Sequence, residues 1–106
     1  MDFSKVDKVA MFKQIEQRMV TLYEKKNKDY GDSFGKSFQK YGLLGVCQRL
    51  EDKLNRMYSL AIQSKSPQDI LSVAQVKDES VMDTLIDLAN YSVMALIELE
   101  LLKSQK

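Results

Sequence analysis

From Glu79 to Glu98 the chain reads as a helix that is apolar around most of its circumference yet carries one acidic stripe. Glu79, Asp83 and Asp87 stack four residues apart, and Asn90 falls on the same face. Val81, Met82, Leu85, Ile86, Leu88, Ala89, Val93, Leu96 and Ile97 occupy the remainder. A helix this apolar requires other helices packed about it. Its carboxylates are costly to bury unless something positive meets them, and Asp–Asp at a spacing of four is mildly self-repelling. Two readings of the stripe stand side by side. It is either the solvated face of an amphipathic helix or an inward site. The side-chain types favour a site, because a wet helix face more often alternates Glu with Lys and Asp is a poor interior helix former. Short carboxylates close to the backbone also suit rigid metal coordination.

Two more long helices are legible upstream. Val9, Phe12, Ile15, Met19, Leu22 and Tyr23 recur mostly at spacings of three and four, which predicts an amphipathic helix over about Lys5 to Lys26. The second runs from about Leu43 to Gln63, with Val46, Cys47, Leu50, Leu54, Met57 and Ala61 as its apolar face. Arg49, Asp52, Lys53 and Arg56 are expected on the opposite side. Between the two helices the glycine-bearing run KKNKDYGDSFG predicts a loop, followed by a short helical turn at Ser37 to Lys40 before Gly42. Ser64 to Pro67 breaks the second helix, Ser66 reads as an N-cap before Pro67, and Asp69 to Ala74 reads as a short helix. The third long helix continues to about Lys103, a cation suited to the negative end of the dipole. The fold class is therefore all-α: three long helices with short connecting ones, a single domain over 1–106. A bundle of this length is expected to be completed by homo-oligomerisation.

Composition removes several chemistries. The 106 residues include no histidine, which excludes Ser-His-Asp and Cys-His nucleophilic catalysis and most catalytic zinc sites. One cysteine, Cys47, leaves no intrachain disulfide and is expected to be a buried inert thiol. Any metal would take oxygen ligands, so Mg²⁺ or Mn²⁺ leads. With 16 basic and 15 acidic residues, the +1 net charge gives no global pull toward nucleic acid or an anionic membrane. MDFSKVDKV lacks the apolar core of a signal peptide, and no run nears the ~20 apolar residues of a membrane span, so a cytoplasmic protein is expected.

The basic residues of the second helix admit two roles. Arg49, Lys53 and Arg56 either form structural ion pairs with the acidic stripe or hold a phosphate chain, arginine as a bidentate fork and lysine as a compact charge. In the loop, Tyr30 and Phe34 either stack on a base, with Lys28 near a phosphate, or plug the end of the bundle. GDSFGKS is one residue short of a Walker loop and no strand precedes it.

KNKDYGDSF, RLEDKLNRM and VKDESVMDTLIDLANY together resemble the small helical nucleotide-modification-associated domains found largely in bacteriophages, over roughly Tyr23 to Leu99. More distantly, the chain is similar to the all-α nucleoside triphosphate pyrophosphatases, which include MazG and the dimeric dUTPases. Those enzymes place E-x-x-E on one helix and E-x-x-D on the next to bind Mg²⁺. Here Thr84 stands where the glutamate of E-x-x-D would be, and Asp52 and Asn55 stand at the E-x-x-E spacing. The resemblance implies a Mg²⁺-dependent nucleotide-binding protein, with Asp52, Glu79, Asp83 and Asp87 as metal ligands. Glu79, Asp83 and Asp87 would do the chemistry of cleaving a deoxynucleoside triphosphate, Glu79 as general base. Lys28, Tyr30, Arg49, Lys53, Arg56, Asn90 and Tyr91 would hold the nucleotide. Sequestration without turnover, or a helical homodimer whose charged stripes pair without a ligand, remain alternatives.

Overall fold

The structure, a computed structural model, describes residues 5–70 and 81–105, with Tyr30 described by its backbone alone. Among the described residues all regular structure is helical, as the periodicity predicts. No helix among them is long and apolar enough to cross a membrane. The chain divides into two compact units, residues 1–33 and 34–106.

The first unit holds α1 (Lys8–Tyr30). The start expected at Lys5 moves to Lys8 because Asp7 is the cap: its carboxylate accepts from the Ala10 N–H at 3.0 Å. The loop expected from Lys26 also shortens. Lys26, Asn27, Lys28 and Asp29 are polar, but nothing in their side chains forbids helix, so α1 continues until Gly31 adopts φ 66°. Lys28 sits in the last turn, where the dipole favours a cation.

The second unit is built on α2 (Ser33–Gln63) and α3 (Val81–Ser104). Gly42 breaks α2 with φ 64° and ψ −155°, a backbone region that only glycine occupies at ease. The expected helix from Leu43 to Gln63 is therefore present, and the turn expected at Ser37 to Lys40 belongs to a longer helical piece from Ser33. A straight helix would set Phe34 about 22 Å from Arg49. The bend instead brings the Phe34 ring to 5.4 Å from the Arg49 guanidinium carbon. Phe34 and Phe38 are buried with Val46 and Ala95, and Leu50, Tyr91 and Met94 pack against that cluster. Phe34 is thus a core residue and does not offer its ring to a base.

The helix end at Gln63 is followed by the Pro67 turn, where the Asp69 carboxylate accepts from the Lys65 and Ser66 N–H groups at 2.9–3.3 Å. That is the reach-back half of a capping box, consistent with Ser66 as N-cap and Pro67 in the first turn. The remainder of the short helix expected to Ala74 lies outside the described residues. Lys103 occupies the last turn of α3, as expected.

The two long helices run antiparallel. As positions on α2 rise, their neighbours on α3 fall: Val46 clusters with Ala95, Arg49 lies over Tyr91, and Lys53 meets Asp87. The inward positions of α2 are Val46, Arg49 or Leu50, Lys53, Arg56 or Met57, and Leu60, all buried or half-buried. This corrects the expected orientation of the helix. Arg49, Lys53 and Arg56 border the seam and do not lie opposite it, while Cys47, Leu54 and Ala61 are exposed. The expected apolar set was centred between Val46 and Cys47. Burial centres on the other flank of Val46, a rotation of less than a quarter turn. Cys47 is accordingly an exposed thiol and not a buried one.

Candidate functional site

Helix geometry gives the α2–α3 pair two distinct sides. Residues just before an inward position turn to one side, and residues just after it turn to the other. Because the helices are antiparallel, the preceding residues of both face the same way. On that side lie Asp52, before Lys53, and Asp83 and Asn90, before Thr84 and Tyr91. Arg49, Arg56 and Asp87 fall on its inner margin. The basic residues and the acidic stripe, read separately in the sequence, are thus brought to one side of one helix pair.

The Lys53 Nζ donates to Asp87 Oδ2 at 3.0 Å, with the side chains 21% and 19% exposed. Both are largely desolvated, so the attraction is screened less than at an open surface, and the pair contributes on the order of 1 kcal/mol. One step toward the α2 N-terminus, the Arg49 guanidinium carbon lies 5.4 Å from the Phe34 ring centroid and 5.8 Å from that of Tyr91. The two rings stack with centroids 6.2 Å apart and an interplanar angle of 13°, within the range of favourable aromatic pairs. Arg49 is therefore fixed by two ring faces in addition to its charge. One step the other way, helical spacing puts Arg56 level with Thr84, which is 0% exposed.

Thr84 is where the sequence reading lacked a signal. A glutamate there would have its carboxylate enclosed at the seam. A threonine can be buried with far less desolvation. The burial of Thr84 follows from a register that no single-helix pattern reveals.

The remaining expected site residues divide three ways. Asp52 and Asp83 are exposed, and Asn90 and Tyr91 are half-buried, all within the second unit. Lys28 is exposed in the first unit. Glu79 and the side chain of Tyr30 lie outside the described residues. Among the described residues no group of three or more carboxylate or thiol side chains is gathered closely enough to hold a metal ion.

Comparison with known proteins places this chain in a family. The model for nucleotide modification associated domain 1 matches residues 26–99, and the chain belongs to that family. The matched span covers the end of α1, all of α2 and α3 as far as Leu99. No curated protein matches the chain, and no solved structure does so.

Proposed function

With that membership as premise, we propose that the charged side of the α2–α3 pair binds a nucleotide through its phosphates. The observation that supports this reading is the row Arg49, Lys53 and Arg56, half-buried along the edge of the seam and in register with Tyr91 and Asp87. Cations are seldom kept so far out of water. An apolar side chain at such a position packs at least as well as an ion pair. Three of them on one helix edge serve a polyanion better than they serve the fold. Arg49 has its guanidinium held against Phe34 and Tyr91, which lowers the ordering cost of binding phosphate. Lys53 can exchange Asp87 for a phosphate oxygen, and Asn90 with Tyr91 would meet the sugar or base.

Mg²⁺ belongs to this proposal as a companion of the phosphates. It commonly takes only one or two carboxylates and completes its shell with water and phosphate oxygens. Asp83 and Asp87, one turn apart on α3, are hard oxygen donors of that kind, with Asp52 and Glu79 as the further candidates. The described residues fit the ion to that extent: they supply two donors on one helix, and the nucleotide brings the rest. The ion would neutralise phosphate charge and acidify a bound water. Cleavage of a deoxynucleoside triphosphate is the further step. Asp87 is held by Lys53 at 3.0 Å, an arrangement better suited to grip than to proton abstraction, so binding is the reading favoured here.

Thermal denaturation with a panel of deoxynucleoside triphosphates, with and without Mg²⁺, tests it. A ligand at a hundred times its Kd stabilises by about 2.7 kcal/mol. Arg49→Gln and Arg56→Gln should remove most of that rise. Absence of any nucleotide-dependent rise at millimolar concentration defeats the proposal. A pyrophosphate assay on the same samples separates the branches. Release that Asp83→Asn with Asp87→Asn abolishes indicates an enzyme, and binding without release indicates a sequestering protein.

A further inference from the structure

Asp87 already does for Lys53 what a phosphate would do. Its Oδ2 accepts from the Lys53 Nζ at 3.0 Å, with both side chains largely covered. A phosphate oxygen that takes Lys53 must displace that carboxylate. The displaced charge then stays beside the incoming anion, because Asp87 is fixed on α3 in register with Lys53. Partial enclosure screens this repulsion less than open water does. A divalent cation that takes Asp87 meets the mirror-image cost, since the Lys53 ammonium is left facing it. When both arrive, each half of the pair gains an opposite charge and no like charges are left face to face.

Resting on the phosphate-binding reading of this side, we infer that nucleotide and divalent cation enter together, coupled by the Lys53–Asp87 pair. The ligand is then the metal complex of a nucleotide and not the free polyanion. The neighbouring residues favour this exchange. Asp83 lies one turn before Asp87 on α3 and is exposed, so a second hard oxygen stands beside the first. Arg49, held against Phe34 and Tyr91, stays in place when Lys53 changes partner. Arg49 and Arg56 keep a cation on either side of the exchanged one. The sign of the expected effect separates this arrangement from an ordinary basic surface. On a row of cations alone, Mg²⁺ weakens nucleotide binding, because it neutralises the charge that the row attracts. With Asp87 seated in the row, Mg²⁺ strengthens it.

Isothermal titration calorimetry of the full chain with dATP, dCTP, dGTP and dTTP, each in Mg²⁺, in Mn²⁺ and in EDTA, tests the coupling. Mn²⁺ titrated alone and followed by electron paramagnetic resonance is the second readout. Either metal should tighten nucleotide binding roughly ten-fold or more, within the usual range of coupling between two ligands. By reciprocity, nucleotide should tighten Mn²⁺ binding by the same factor. Asp87→Asn removes the carboxylate that competes for Lys53. Its nucleotide affinity in EDTA should rise above that of wild type, and its gain from metal should fall below about three-fold. Lys53→Gln removes the other half, and should bind Mn²⁺ alone roughly ten-fold more tightly than wild type does. Wild-type binding that is as tight in EDTA as in Mg²⁺ overturns the coupling and leaves the phosphate reading standing. A full metal gain in Asp87→Asn does the same. Failure of every nucleotide to bind in any buffer ends the phosphate reading, and the coupling with it. Circular dichroism identifies a variant that does not fold, and the other variant with wild type then decides.

Discussion

The two sides of the α2–α3 pair are made by the same helices and differ only in which neighbour of each inward residue they display. On one side stand Arg49, Lys53, Arg56, Asp83 and Asp87; on the other, Leu54, Tyr58, Leu85 and Leu96. The charged side is partly enclosed, with Lys53 and Asp87 about four-fifths covered. The apolar side is largely open, with Tyr58 62% exposed. Ordinary amphipathic logic would reverse these exposures. Charges that are kept in and leucines that are left out give the two sides of one seam opposite characters.

Changes at the seam should separate the two sides, beginning with its centre. Thr84→Glu places a carboxylate at a position that is 0% exposed. It should cost on the order of 3 kcal/mol or more in urea denaturation; a variant as stable as wild type would show that the charged side reaches Thr84. Gly42→Ala comes next. An added Cβ would meet nothing within 4 Å, so the expected loss of about 1–3 kcal/mol is purely conformational. It should also loosen the Phe34–Arg49–Tyr91 stack, seen as a weaker near-ultraviolet circular dichroism signal. A double-mutant cycle on Lys53→Ala and Asp87→Ala should return a coupling of about 1 kcal/mol that weakens as salt is added. Coupling near zero would mark the pair as a contact kept for ligand and not for stability. Arg49→Lys preserves the charge but loses the guanidinium's contact with the two rings, and should cost about 0.5–1 kcal/mol by thermal denaturation. The smallest effects belong to two adjacent exposed acids. Asp52→Ala and Glu51→Ala should each change stability by less than about 0.5 kcal/mol.

Much of this was legible in the chain. The helix from Leu43 to Gln63, the break at Gly42 and the Lys103 end of α3 follow from period, glycine and charge, which are local properties. The start and end of α1 shifted by a few residues, because a cap and a glycine fix helix termini more tightly than the run of polar side chains before them. The orientation of α2 departs from the one its apolar residues predict, for a physical reason. Its hydrophobic residues are spread over more than one face, and a broad apolar arc does not say which part of it is buried. Phe34 was left with two roles, stacking on a ligand or plugging the fold. The bend at Gly42 selected the second by carrying its ring to Arg49 and Tyr91.

Sequence alone determined that this chain is helical and where its long helices lie, and it left open whether the acidic and basic stripes pair. Helical periodicity and turn chemistry act over a few residues, so they can be read in one dimension. The antiparallel register of α2 against α3 was decided only in three dimensions, and with it the Lys53–Asp87 pair, the enclosure of Thr84 and the exposure of Cys47. A register is a relation between two helices, set by how their side chains fit together, and neither helix carries it by itself.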